Sequence, residues 1–166
     1  GIGCDQVIVL EPSRHADVRM RILNADGSEV GACGNATRCV AWLLAEETGR
    51  KDVTIDTPAG DLQASVGSIE HITVDMGVPR LMPDEVPFES DSSDVVQPLR
   101  VNDKVFDITA VSMGNPHAVQ VVVDVDDFPV AKYGPLIEAH ERFPRRVNAG
   151  FMEVVDRHAI RLRVYE

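Results

Sequence analysis

The apolar residues of this 166-residue chain recur mostly at every second position, in runs too short for helices and punctuated by glycine, proline, asparagine and aspartate. That pattern restricts the fold to sheets of short strands with few helices to cover them. "VIVL" (7–10) and "VRMRILN" (18–24) read as strands, followed by the turn "NADG". "VTIDT", "DLQASV" and "HITVDM" read as antiparallel strands joined by "PAGD" and "GSIE". Further strands are expected around 95–101, 105–111 and 117–123, with a last hairpin across "VVDRHAI".

The period changes to the helical one twice. Ala36, Cys39, Val40, Leu43 and Leu44 fall at helical spacing, and Ala41, Trp42 and Ala45 make the other faces apolar too, so a helix buried nearly all round is expected. Gly49 reads as its stop, with Arg50 and Lys51 where the negative end of the helix dipole favours them. A second helix is expected over about 130–142. Sheet wrapping helix makes the class α+β. Pro79, Pro83 and Pro87 precede the acidic run "ESDSSD", a stretch that cannot continue a central strand. A boundary is therefore expected there, dividing the chain into 1–78 and 79–166. No residue-level repeat relates the halves, although their order of elements is similar.

Charge narrows the function classes. With 16 Lys+Arg against 27 Asp+Glu the formal net charge is -11, which repels a phosphate backbone and an anionic membrane surface. Nucleic acid and membrane are therefore not expected as partners. The odd set Cys4, Cys33 and Cys39 does not read as a disulfide framework, and a reducing cytoplasm fits it better. Cys33 and Cys39 lie outside the usual short spacing of zinc ligands with no histidine nearby, so no metal is expected. No glycine-rich phosphate loop or suggestively placed lysine appears, so no cofactor is expected either. The "NAT" match to the glycosylation pattern (35–37) reads as accidental. The chain begins at Gly1, and "HAIRLRVYE" alternates up to its last residue, so it reads as a fragment.

The chemistry-bearing stretch is "EVGACGNATRC" (29–39), where the strand period gives way to the helical one. If the helix starts at Cys33, unpaired backbone N–H groups and the positive dipole end favour thiolate. Cysteines so placed ionise between about 3.5 and 7.5 rather than near 8.5. Gly34 permits close backbone approach, and the Gly34 and Asn35 amides suit a carboxylate. The alternative, that Cys33 is a small packed residue and Gly34 a turn, stands beside this one. Cys39, on the interior stripe, reads as core. Asn24 reads first as a turn cap, and His117 as a satisfied polar residue near a strand. Asn115 precedes a proline that holds it extended. Asn148, read as lying inside an apolar strand, goes against propensity. Asparagines in sheet contexts, a cysteine at a helix start and no Ser/His/Asp order suggest recognition of a polar zwitterion rather than hydrolysis.

"GIGCDQ", "NADGSEV-x-x-CGN-x-x-RC", "MGNPH", "RVNAGFMEVV" and "IRLRVYE" together resemble the bacterial diaminopimelate epimerases, in order and spacing. The resemblance implies two pseudosymmetric lobes, each a mostly antiparallel or mixed sheet curled around a central helix, incomplete here at both ends. It implies a cofactor-independent isomerase that interconverts LL- and meso-diaminopimelate, on the route to lysine and peptidoglycan. Cys33 then matches one of two acid/base cysteines, with Gly34 and Asn35 beside the reacting carboxylate. Asn24, Asn115, Asn148 and Glu166 match substrate contacts, and Gln6 and His117 lie in matching motifs. The family's second cysteine motif follows "VYE", so the chain alone is expected to be inactive. Its members are often dimeric, which makes a homodimer an expectation. The rival readings are a proline or hydroxyproline isomerase of the same two-cysteine architecture and a non-catalytic small-molecule binding module.

Overall fold

The computed structural model describes residues 3–166; Gly1 and Ile2, which open the "GIGCDQ" motif, lie outside the described residues. Contacts divide the chain into two compact units, the first ending at Val78 and the second beginning at Pro79.

Unit 1 contains β1 (Gln6–Glu11), β2 (Val18–Asn24), β3 (Glu29–Val30), α1 (Gly34–Thr48), β4 (Asp52–Thr57), β5 (Gly60–Ser68) and β6 (His71–Asp75). The sheet order is β1-β2-β4-β5-β6, with β3 paired to β2. Every pairing is antiparallel except β2 with β4, where Val18 lies opposite Ile55. A parallel pair cannot be closed by a tight turn, so the chain crosses back through α1. Thr37, Val40 and Ala41 form the buried stripe of α1, over a core that includes Met20, Ile22 and Ile55. Gly49, at φ 73°, closes the helix by donating its N–H to Ala45 O at 2.8 Å.

Two expectations for this helix fail. It is not buried all round: Cys39 is exposed and Leu43 is 52% exposed. α1 meets β4, β5 and β6 along one side, so the stripe through Thr37, Val40, Ala41, Leu44 and Ala45 goes inward and Cys39 and Leu43 turn outward. Cys39 is therefore not a core residue. Arg50, instead of attending the helix end, bonds to Asp17, whose carboxylate also accepts the Thr54 N–H at 2.7 Å.

Unit 2 contains β7 (Val96–Val101), β8 (Lys104–Ser112), β9 (Pro116–Val121), α2 (Val130–Glu138), β10 (Asn148–Val154) and β11 (Ile160–Tyr165). The strands run in the order β7-β8-β9-β10-β11, and only β9 and β10 are parallel, again joined through a helix. α2 packs on β7, β10 and β11, its Ile137 joining a core that includes Leu99, Ile108 and Phe151. It ends at Glu138 rather than near 142. Pro144 disfavours helix at Phe143, and the intervening turns are tied by Phe143 N–H to His140 O at 2.8 Å and Arg146 N–H to Phe143 O at 2.9 Å. Asn148 opens β10 and so is not mid-strand, which removes the conflict with its low strand propensity. Among the described residues no helix is long and apolar enough to cross a membrane.

Phe151 is fully buried, whereas Cys39 faces out. Phe151→Ala should lower the free energy of urea unfolding by about 3–5 kcal/mol, while Cys39→Ser should leave it within about 0.5 kcal/mol of the parent.

Candidate active site

Cys33 is the N-cap residue of α1, in extended conformation at φ -146° and ψ 109°, and its side chain makes no capping hydrogen bond. The thiol is therefore not spent on the helix it precedes. Its carbonyl accepts two bonds from the buried Thr37, from N–H at 2.9 Å and from Oγ1 at 2.8 Å, which fixes the cysteine backbone to the first turn. Among the described residues no acceptor meets the Gly34, Asn35 or Ala36 N–H, the groups that a helix start leaves without an internal partner. Cys33 is half-buried, its apolar side against the unit 1 core. A Cβ at Gly34 would only touch Met76 Sδ at 3.6 Å, so no neighbouring side chain demands glycine there. The Asn35 side chain is engaged, its Oδ1 accepting from Arg38 Nη2 at 2.6 Å.

Asn24 ends β2, and its register partner is Gln6 at the start of β1. Gln6 Nε2 donates to Asn24 Oδ1 at 3.0 Å, Asn24 Nδ2 donates to Ser28 Oγ at 3.0 Å, and Ser28 Oγ donates to Asp26 Oδ1 at 2.6 Å. This chain orients the Asn24 amide, whose second N–H and second lone pair meet no partner among the described residues. The Asn24 backbone closes the turn, its N–H donating to Ser28 O at 2.8 Å and its carbonyl accepting from Gly27 N–H at 2.9 Å. Because α1 returns the chain from β2 to the parallel β4, its N-terminus lies toward the C-terminal ends of those strands, the end at which Asn24 and Gln6 also stand. No hydrogen bond among the described residues links Cys33 to Asn24.

In unit 2 the parallel register does the gathering. Asn148 and His117, the first residue of β10 and the second of β9, are direct partners. His117 Nε2 lies 3.1 Å from Asn115 Oδ1, a hydrogen bond in the tautomer that carries its proton on Nε2. Burial holds the His117 pKa below its ordinary 6.5, and the nearby Glu166 carboxylate partly opposes that shift. β11 brings Glu166 there, since Tyr165 pairs with Ala149, the neighbour of Asn148. Asn115, His117, Asn148 and Glu166 therefore form one polar cluster. α2 adds no second helix tip to it: its N-cap is Pro129, beyond the C-terminal end of β9, opposite to His117.

Other polar or hollow features lie elsewhere. A cavity of about 560 Å³ opens at the far end of β9, lined by Lys104, Phe106, Gln120, Asp124 and Phe128 among others, and contains no candidate residue. Three metal-ligating side chains converge at His15, Asp56 and Asp61, but Arg19 already pairs with Asp56 at 3.4 Å and His15 with Asp61 at 3.1 Å. Thr37 and Ser28 are supporting residues that the sequence reading passed over. Thr37 follows Cys33 by one helical turn, a spacing that signals a possible back-bond, while Ser28 gave no signal beyond its turn.

The family profile described as diaminopimelate epimerase matches residues 1–82 and 109–166. The diaminopimelate epimerase of Aromatoleum aromaticum is 55% identical over 170 residues, covering 100% of this chain and 61% of that enzyme. That of Thioalkalivibrio sulfidiphilus is 52% identical over 171 residues, covering 100% of this chain and 62% of its own length. The chain thus spans about three-fifths of the length of these curated relatives. Among solved structures, a probable proline racemase from Agrobacterium radiobacter K84, with bound carbonate, superposes with TM-score 0.70 at 18% identity, over 96% of this chain and 53% of its own. A hydroxyproline epimerase from Agrobacterium vitis, with bound trans-4-OH-L-proline, gives TM-score 0.70 at 17% identity, over 96% and 52%. These two likenesses establish the fold, an α+β arrangement of two sheet-and-helix lobes.

A histidine held neutral by the fold stabilises it fully above its unfolded pKa, near 6.5, and less as pH falls through the lower folded value. By NMR the His117 imidazole should titrate below pH 6.5, and His117→Gln should flatten the loss of stability on acidification through that range.

Proposed function

The chain belongs to the diaminopimelate epimerase family, and from that premise we propose that its protein interconverts LL- and meso-diaminopimelate without a cofactor, in the supply of lysine and peptidoglycan precursors. The observation that carries this reading is the thiol of Cys33 at the N-cap of α1, beside three backbone N–H groups that meet no acceptor among the described residues.

Inverting a stereocentre needs a base on one face of the α-carbon and an acid on the other. Cys33 as thiolate takes the α-proton: an S–H bond forms, the Cα–H bond breaks, and the electron pair moves into the adjoining carboxylate. The free Gly34, Asn35 and Ala36 amides face the charge that develops there, in the manner of an oxyanion hole. Gly34 fits this role because no neighbouring side chain requires its small size. A second acid then protonates the opposite face. Neither Cys4 nor Cys39 is placed at a helix start, so the 166 residues alone supply one of the two groups and are expected to bind without epimerising.

Distal recognition falls to the amides. In unit 1 the oriented Asn24–Gln6 pair, and in unit 2 the Asn115–His117–Asn148–Glu166 cluster, each offer donors and acceptors that suit an ammonium or a carboxylate. A ligand that leaves such groups unpaired loses about 1–3 kcal/mol, enough to select one distal configuration. The same reading includes a cytoplasmic location and a homodimer, and excludes nucleic acid and membrane as partners, which the net charge of -11 supports. The fold likeness to the proline racemase and hydroxyproline epimerase supports a second reading, in which the substrate is a cyclic imino acid.

In the complete protein, deuterium from D2O should enter the α-carbon of diaminopimelate, and Cys33→Ala should slow that exchange by about 10²–10⁴-fold. Exchange on proline or 4-hydroxyproline but not on diaminopimelate would favour the second reading, and undiminished exchange in Cys33→Ala would remove Cys33 from the mechanism.

A further inference from the structure

Gly134 stands inside α2, where glycine costs about 1 kcal/mol relative to alanine, and its φ is not positive. The reason for a glycine lies across the unit. A Cβ there would stand 2.5 Å from Tyr165 Cγ, 2.6 Å from Tyr165 Cβ and 2.9 Å from Cδ2. These atoms form the root of the side chain, so the overlap cannot be relieved by swinging a flexible tip. Ordinary contact begins at 3.4 Å, and the strand carrying Tyr165 would have to retreat by about 1 Å.

Tyr165 is the last residue of β11, half-buried against the unit 2 core on the side where α2 packs. The next residue is Glu166, whose carboxylate acts on His117. We propose that Gly134 and Tyr165 are positioning residues: the bare backbone of α2 admits the tyrosine ring, and that seat sets where the strand end presents Glu166 to the substrate. The proposal rests on the reading of Glu166 as a substrate contact. It assigns no chemistry to either residue. Its consequence is that a methyl group placed on the far side of the sheet from the polar cluster reaches the reaction through the strand end alone.

The test uses the complete protein. Gly134→Ala should lower kcat/KM for diaminopimelate epimerisation by roughly 10–100-fold, the scale of a misplacement near 1 Å, with a raised KM. Tyr165→Ala, which removes the ring without creating overlap, should act in the same direction and serves if Gly134→Ala does not fold. The decisive readout is the combination with Glu166→Gln. Once the carboxylate is gone its displacement matters little, so adding either substitution should cost less than about threefold beyond Glu166→Gln alone. A purely structural role predicts full, multiplicative losses in the double variants, and that result would overturn the proposal, as would parental kcat/KM in folded Gly134→Ala and Tyr165→Ala. Absence of epimerisation by the parent enzyme would instead refute the functional reading, and so is distinguishable.

Discussion

One parallel strand pair in each otherwise antiparallel sheet governs what the two units can do. A parallel pair needs a long crossover, and in both units that crossover is a helix. In unit 1 the consequence is a helix N-terminus delivered to the C-terminal ends of β2 and β4, with Cys33 as its N-cap and first-turn N–H groups that meet no acceptor among the described residues. In unit 2 the same device lies the other way round. The candidate residues stand at the beginnings of β9 and β10, where parallel register sets His117 beside Asn148, and α2 begins at the opposite end. One unit thus presents a thiol at a helix tip and the other a set of side chains on strand ends.

The supporting bonds explain why these groups are held rather than merely present. Thr37 anchors the Cys33 carbonyl with two bonds, so the cysteine backbone cannot turn without breaking the first helical turn. Ser28 and Gln6 hold the Asn24 amide from both sides, which sets the direction of its remaining donor and acceptor. Burial keeps His117 biased toward its neutral form, able to donate to Asn115 through Nε2. Each support is local to its unit. On the proposed function this orientation, present without a ligand, would lower the ordering cost of binding.

Much of this was legible in the chain, and the rest failed for identifiable reasons. The period change after "EVGACGN" located the start of α1 and with it the N-cap role of Cys33, because local pattern and capping are both encoded nearby. The same pattern misled at Cys39: with apolar residues all around the helix, only the position of β4, β5 and β6 decides which face is inner. Asn148 is anomalous only as a mid-strand residue, and β10 starts there. Arg50 bonds to Asp17, a residue far away in sequence, which no local dipole argument could reveal. Gly134 gave no signal at all, since its reason is the root of Tyr165 on another element. Residues whose role depends on neighbours along the chain were readable, and those defined by a partner across the sheet were not.

On the proposed mechanism the open backbone donors at the tip of α1 receive the carboxylate of the substrate beside Cys33. Titrating the ¹⁵N-labelled complete protein with diaminopimelate and following the backbone amides tests it directly. Saturable downfield movement of the Gly34, Asn35 and Ala36 N–H resonances is the predicted result. Saturable binding that leaves those three unmoved while shifting amides elsewhere would contradict it.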